Sequence, residues 1–151
     1  MPFDIDQSLR QFIDEHRVAR LATAGLDGQP SVIPICYVLG DECIYTPIDE
    51  KPKTVAADAL KRVRNIEANS RVALVIDDYS EDWSNLTYVL ITGTANMMMP
   101  REPSGEHARA VALLREKYPQ YRSMKIDQRP IIRITPARIK RWAPAGKGAY
   151  D

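Results

Sequence analysis

Short segments of apolar residues, most of them alternating with polar ones, recur along the chain in the pattern of β-strands. The segments lie at residues 18–24, 31–39, 42–46, 71–76, 86–97, 130–135 and 138–142. They are rich in Val, Ile, Thr and Tyr, the residue types that pack well on a pleated sheet. The pattern therefore predicts six or seven strands.

Turn residues indicate how the predicted strands are joined. An Asp-Gly pair at 27–28 and a Gly-Asp pair at 40–41 each separate two strands, and such pairs favour tight hairpin turns. Strands joined by hairpins run antiparallel. Pro30 and Pro34 have no backbone N–H, so they confine the strand at 31–39 to an edge, a bulge or an interrupted ladder.

Three segments have the apolar spacing of helices. Asp4 or Asp6 can cap the first helix, which ends near His16. A second helix is predicted at about 53–66, and a third at about 104–118 begins with a serine that can cap it. Helices interspersed among hairpin-linked strands predict an antiparallel α+β domain. A closed or partly closed barrel would hide the edges of the sheet.

Residues 44–65 place a strand, a proline-rich turn and a basic helix in succession, IYTPIDEKPKTVAADALKRVRN. Lys53, Lys61 and Arg64 are spaced to lie along one side of that helix. Backbone N–H groups at a helix start and fixed cations both favour an anion, so the segment predicts a phosphate-binding site. A solvated basic helix face would give the same pattern and is the alternative.

Composition narrows the function classes. The 151 residues, 44% of them hydrophobic, suffice for one domain over residues 1–151, and the net charge of +1 gives no general attraction to nucleic acid or to an anionic membrane. No apolar run approaches the roughly 20 residues of a membrane span, and the first residues do not resemble a secretory signal. We therefore expect a soluble, cytoplasmic protein. Cys36 and Cys43 have no histidine close in sequence, so we expect buried free thiols and no metal site.

Several motifs, taken in order, resemble those of one protein family. A short leading helix precedes VARLATAGLDGQPSVIPICYVLGDECIYTPIDEKPK, then RxxN comes before a strand, then WxxLxYVxxxGTA. This order is similar to that of the split-barrel flavin and deazaflavin oxidoreductases, the pyridoxamine-phosphate-oxidase-like proteins. The stretch DDYSEDWSNLTYVLITGTA is most similar to the branch of probable coenzyme F-420-dependent enzymes. The resemblance extends from about Ile5 to Trp142.

The resemblance implies a mainly antiparallel split β-barrel with peripheral helices, assembled as a homodimer that holds FMN or F-420 at its interface. The candidate cofactor-binding residues are Ile33, Pro34, Tyr45, Thr46, Pro47, Lys51, Lys53, Arg64, Asn65 and Trp83. By position, the first two approach the ring through backbone groups, and the next three line the strand opposite. The two lysines, Arg64 and Asn65 bind the phosphate end. Trp83 comes from the partner subunit or covers the ring.

The activity implied is hydride transfer between the cofactor and a small organic substrate bound over the ring. No residue is marked as a catalytic acid or base. The alternative is a split barrel that binds FMN without catalysis, or binds haem, although the basic helix favours a phosphate-bearing ligand. A nucleic-acid-binding barrel would need exposed aromatics interleaved with cations, whereas Tyr118, Tyr121 and Trp142 are scattered.

Overall fold

The computed structural model describes residues 5–48 and 60–144. Among them, seven strands form one antiparallel sheet in the order β2-β1-β5-β6-β7-β4-β3. The strands are β1 (Ala19–Ala24), β2 (Pro30–Ile35), β3 (Val38–Leu39), β4 (Ile44–Pro47), β5 (Arg71–Asp78), β6 (Thr87–Met98) and β7 (Ile131–Trp142). The helices around the sheet are α1 (Gln7–Glu15), α2 (Lys61–Ala68) and α3 (Glu106–Lys117). The predicted antiparallel α+β architecture is confirmed.

The two edge strands of this sheet are consecutive in sequence. β2 ends at Ile35 and β3 begins at Val38, so only Cys36 and Tyr37 join one edge to the other. Because consecutive Cα atoms lie about 3.8 Å apart, three steps hold Ile35 and Val38 within about 11 Å. Seven strands meet this limit only if the sheet curls on itself. The sheet therefore has the predicted split-barrel form.

Alternate residues of the strands fill the inside of the curled sheet. Leu21, Leu74 and Ile91 occupy paired positions on β1, β5 and β6, and each is at most 1% exposed. A second apolar cluster lies between the outer side of β4 and β7 and helix α3. Its members include Val38, Cys43, Tyr45, Met98, Ala110, Val111, Leu114, Tyr118 and Ile131. This second cluster therefore packs against the outer side of β4. The inner side of β4 faces the residues that fill the curled sheet, which we call the main core.

The strands differ in two places from the predicted ones. The segment predicted as one strand at 31–39 is divided between β2 and β3, which lie at opposite edges of the sheet. The expectation from Pro30 and Pro34 holds, because β2 is an edge strand. The two strands predicted around Pro136 are one strand, β7, because a bulge accommodates the proline without ending the pairing with β6.

The helix boundaries confirm one prediction and correct another. Asp6 caps α1, since its Oδ1 accepts a hydrogen bond of 2.8 Å from the backbone N–H of Leu9. Leu60 has an extended backbone with ψ of 138°, so α2 begins at Lys61. The prediction of one continuous helix from Lys53 is therefore wrong. No helix in the described parts of the chain combines the length and apolar character needed to cross a membrane.

Gly93 is required where β6 passes the bulge in β7. Thr92 pairs with Arg138 whereas Gly93 pairs with Pro136, which leaves Ala137 as the extra residue. The backbones approach so closely that a Cβ on Gly93 would collide with the carbonyl oxygen of Thr135. Bulges increase the local twist and bend of a sheet. This contact therefore marks a point at which the sheet curls.

Replacing Gly93 with alanine should lower the free energy of unfolding by about 3 kcal/mol, because the added methyl group forces β6 and β7 apart. Gly28→Ala is the control, since nothing lies within 4 Å of its Cβ position and only its φ of +76° is strained. That strain costs about 1 kcal/mol. Urea unfolding at one protein concentration compares the two variants. Equal losses of stability would contradict the close contact at Gly93.

Candidate cofactor-binding site

The barrel is open between β2 and β4, and the predicted ring-binding residues lie on both sides of this opening. β3 pairs with β4 only at Val38–Tyr45 and Leu39–Ile44. Continuing that register would pair Tyr37 with Thr46. That pair does not form, because the chain before Val38 leads to β2, which pairs with β1 and not with β4. We call the free edge of β2 and the end of β4 that extends beyond β3, Thr46–Pro47, the seam; both residues of that end are buried.

The β2 side of the seam offers backbone groups. Ile33 and Pro34 pair with Leu21 and Arg20 of β1 on one side, and no described strand pairs with β2 on the other. Pro34 is exposed, whereas the side chain of Ile33 packs partly against the main core. An unpaired strand edge presents N–H and C=O groups to any ligand placed along it. Because the backbone groups of successive strand residues point to opposite edges, only one of these two residues can present its backbone groups along the free edge of β2.

The β4 side of the seam divides its three candidates between two faces. Thr46 is 2% exposed, and neighbouring Tyr45 points into the second cluster beneath α3, because successive side chains of a strand alternate. The hydroxyl of Tyr45 donates a 2.6 Å hydrogen bond to Oε2 of Glu106. Burial and this carboxylate together raise the pKa of Tyr45. Tyr45 and Thr46 therefore cannot both reach one ligand with their side chains.

Glu106 is a functional candidate that sequence reasoning missed. Its second oxygen, Oε1, accepts a 2.9 Å hydrogen bond from Nη1 of Arg133, the residue that pairs with Tyr45 on β7. The carboxylate thus ties α3 to both β4 and β7. These three residues border a crevice of about 760 Å³ between α3 and the β3–β4 turn. In the sequence, Glu106 has the position of an ordinary acidic residue in a first helical turn, which gives no signal of this contact.

Helix α2 places Arg64 and Asn65 in different surroundings. Arg64 is exposed, whereas Asn65 is 4% exposed and its Nδ2 donates a 3.0 Å hydrogen bond to Oγ1 of Thr23. Gly25 makes room for it, since a Cβ there would lie 3.0 Å from Oδ1 of Asn65. Asn65 therefore anchors α2 on β1. Its neighbours in the predicted phosphate site, Lys51 and Lys53, lie outside the described residues.

Trp83 stands on the surface between β5 and β6. It begins a short 3-10 turn, Trp83–Asn85, capped by Asp82, whose Oδ1 accepts a 3.1 Å hydrogen bond from the N–H of Ser84. The indole is 68% exposed, and Tyr79 in the same connection is 66% exposed. Large exposed aromatic side chains commonly mark contact surfaces. The position suits a residue that contacts something other than its own chain.

Tyr37 fixes the crossing between the two sheet edges. It is fully buried, and its hydroxyl donates a 2.6 Å hydrogen bond to the carbonyl of Ile13 in α1. Its backbone N–H donates to the hydroxyl of Tyr118, 3.0 Å away. That hydroxyl lies 2.9 Å from the carbonyls of both Arg17 and Tyr37, so it donates to one of them at a time. Burial raises the pKa of Tyr118 to about 12.

Lys117 lies over the same aromatic pair. Its Nζ is 4.0 Å from the ring centroid of Tyr37 and 5.5 Å from that of Tyr118, and it is shielded from solvent. Burial lowers the pKa of Lys117 to about 8, and Arg17 adds to this, while Asp14 and Cys36 oppose it. The aromatic faces favour the ammonium form. The crossing therefore contains an amine whose charge changes at a mildly alkaline pH.

Neither histidine of the chain offers a free imidazole at the surface. Nδ1 and Nε2 of His16 lie 2.7 Å from the carbonyl of Phe12 and from Oδ1 of Asp78. His107 is 3% exposed, and its Nε2 is 2.8 Å from the carbonyl of Arg129. Both cysteines are free thiols; Cys43 is buried as predicted, and Cys36 is partly buried. In the part of the chain that is described, no group of three potential ligands could hold a metal ion.

Comparison with known proteins agrees with this geometry. A family model described as pyridoxamine 5'-phosphate oxidase matches residues 5–143. A protein of Streptomyces rimosus subsp. rimosus, named 5a,11a-dehydrotetracycline/5a,11a-dehydrooxytetracycline reductase, is 29% identical over 147 residues. That match covers 97% of this chain and 87% of the reductase. The resemblance inferred from the motifs is therefore confirmed at the level of the family.

Solved structures share the fold. The conserved hypothetical protein Rv2991 of Mycobacterium tuberculosis has a TM-score of 0.72 and 22% identity, covering 94% of this chain and 86% of its own. HutZ of Vibrio cholerae, described as a haem storage protein, has a TM-score of 0.71 and 16% identity, covering 93% and 95%. At these identities the likeness concerns the fold alone. The likeness to HutZ therefore assigns no ligand to this chain.

Replacing Lys117 with methionine should change how stability depends on pH above about 8. Folded protein releases the Lys117 proton near pH 8, whereas the unfolded chain holds it to the ordinary lysine value of about 10.4. In this window the unfolded state binds more protons, so Lys117 makes wild-type stability rise with pH. Urea unfolding between pH 7 and 10 tests this. A wild-type-minus-variant difference in unfolding free energy that stays constant with pH would contradict the assignment.

Proposed function

Because the chain belongs to the pyridoxamine 5'-phosphate oxidase family, we propose that it is an oxidoreductase that binds FMN or coenzyme F-420 along the seam. The relative named as a reductase supports redox activity on a small organic substrate. The observation that carries the proposal is the opening between β2 and β4, since β2 has no described strand partner on one edge and β3 pairs with only part of β4. A planar ring with a phosphate-bearing side chain suits such a slot.

The seam has groups that fit the ring. When bound, the cofactor would supply hydride transfer to or from the substrate. One of Ile33 and Pro34 would bind and orient the ring through backbone atoms, and Pro34, which has no N–H, could contribute only its carbonyl oxygen. Thr46 and Pro47 would limit the ring from the other side. Both strands pack on the barrel core, which would favour a site formed before the ligand enters.

The phosphate end would be bound beyond β4. Lys51, Lys53 and Arg64 would supply positive charge, and charge-assisted hydrogen bonds to phosphate are among the strongest that side chains make. Asn65 would act differently from the expectation based on the resemblance, because its amide is already bonded to Thr23. It would hold α2, and with it Arg64, at a fixed distance from the sheet.

A homodimer would complete the site. The outer face of β2 and β1 carries Pro30, Val32 and Ala22, and Val32 is 64% exposed. An apolar sheet face of this kind is typical of an interface. A second copy placed on it would cover the seam and shield the ring from water. Trp83 of that copy, exposed in its own subunit, would then contact the cofactor.

Haem binding, the alternative function in this fold, has less support from the residues. His16 has both ring nitrogens in hydrogen bonds, and His107 is buried against Arg129. Neither therefore offers an accessible nitrogen for axial ligation of iron. The basic residues around the proposed phosphate site favour a phosphate ester. FMN and F-420 both contain one.

Binding measurements test the proposal directly. Purified protein, freed of any copurified ligand, is titrated separately with FMN, F-420 and haem, using cofactor fluorescence for the first two and the Soret band for haem. We expect saturable binding of FMN or F-420. The double variant Lys53→Ala/Arg64→Ala should bind at least tenfold more weakly, because hydrogen bonds to charged groups contribute about 1.5–3 kcal/mol each.

Arg122→Ala is the matched control, since it removes an exposed arginine outside the proposed site. It should leave the affinity for FMN and F-420 unchanged. Binding of haem with neither FMN nor F-420 bound would replace the proposal by the haem alternative. Equal affinity losses in the double variant and the control would reject the assignment of the phosphate site.

A further inference from the structure

The two prolines of β2 determine which of its residues direct their backbone groups to the free edge. Pro30 and Pro34 are opposite Ala24 and Arg20 of β1. In an antiparallel pair, residues that exchange two hydrogen bonds alternate with residues whose N–H and C=O groups point away from the partner strand. Proline has no N–H to exchange, so both prolines belong to the second kind. Their spacing of four residues satisfies the same alternation.

The pairing of the neighbouring strands agrees with this assignment. Ile33 is opposite Leu21, and the alternation makes these two residues the ones that exchange hydrogen bonds between β1 and β2. Arg20 is opposite Pro34 on one side and Val75 of β5 on the other, so its backbone groups have a partner strand in β5. The backbone groups of Ile33 are therefore used within the sheet, and those of Pro34 face the seam.

The free edge of β2 is consequently poor in hydrogen-bond donors. Its outward-directed residues are Pro30, Val32 and Pro34, all of them exposed. Together they offer three carbonyl oxygens but one N–H, that of Val32. No described strand covers this edge. A ligand beside Pro34 therefore meets an acceptor at a position where a strand edge normally offers a donor as well.

We propose that the carbonyl of Pro34 accepts a hydrogen bond from the ring nitrogen that gains a hydrogen on reduction, so that the seam favours the reduced cofactor. This inference rests on the proposed function, which places the ring along β2. Two-electron reduction adds a hydride to N5 of FMN, or a hydride to C5 and a proton to N1 of F-420, so either ring gains an N–H. In the oxidised ring the same nitrogen is an acceptor. Pro34 has no N–H to donate to it.

Restoring the missing N–H tests the proposal. Pro34→Ala and Pro34→Gly each add an amide that can donate to the oxidised ring, so each should reduce the ratio of affinities for reduced over oxidised cofactor by about tenfold. That change lowers the midpoint potential by about 30 mV for a two-electron couple. Both quantities are measured in full-length protein loaded with whichever of FMN and F-420 the wild type binds.

Pro30→Ala is the matched control. It adds an N–H to the same edge of the same strand, four residues from Pro34, or about 14 Å away. Because Pro30 is exposed like Pro34, the two substitutions change the strand in the same way. The control should leave the affinity ratio and the midpoint potential unchanged.

A measurement without cofactor tests the edge assignment separately. Amide hydrogen exchange of the Pro34→Ala variant, followed by NMR, should be fast at the new amide of position 34, because it faces the uncovered edge. Exchange at Ile33 should be slower, because its N–H is bonded to β1. Slow exchange at position 34 would overturn the proposal, since the backbone there would then face β1.

A ratio that falls in both Pro34 variants and not in Pro30→Ala would support the proposal. An equal loss of affinity for both redox forms would overturn it, because the proline would then act only by stiffening the strand. An equal fall of the ratio in Pro30→Ala would overturn it as well. If the wild type bound neither cofactor, the proposed function would fail and this inference with it, whereas fast exchange at position 34 would still support the donor-poor edge.

Discussion

The crossing at Cys36 and Tyr37 is the constraint on which the rest of the structure depends. Two residues join opposite edges of one seven-stranded sheet, so the sheet can exist only in a curled form. The same crossing separates β2 from β4. Before it, β2 pairs with β1, and after it, β3 pairs with β4. Closure of the barrel and the opening along its side thus have one cause. The candidate ring-binding residues occupy the two sides of that opening.

Hydrogen bonds from distant parts of the chain hold the crossing. Tyr37 bonds to α1 through its hydroxyl and to Tyr118, at the end of α3, through its backbone. An unpaired N–H at this buried point would cost about 1–3 kcal/mol, so the Tyr118 hydroxyl contributes to the stability of the crossing. Lys117 adds a cation over the two rings. On the opposite side of the barrel, the bulge at Gly93 supplies the bend that lets β6 and β7 follow the same curl.

The sequence allowed the strands, their antiparallel pairing and the edge position of β2 to be predicted, because prolines and turn residues act locally. It did not reveal the crossing, since residues 31–39 have the apolar pattern of one strand and the change of partner depends on contacts made far away. Asn65 and Glu106 illustrate the same limit in the candidate site. Their roles depend on Thr23 and Tyr45, which lie close to them only after folding. Motif order, by contrast, identified the family, because it reflects the whole chain.

The central claim is that the opening beside the crossing is the cofactor site. A crystal structure of the protein with FMN or F-420 bound tests it most directly. We predict that the ring lies along the free edge of β2, within hydrogen-bonding distance of backbone atoms of Ile33 or Pro34, and faces Thr46–Pro47 across the seam. A cofactor in the crevice between α3 and the β3–β4 turn, beside Glu106, would contradict the account.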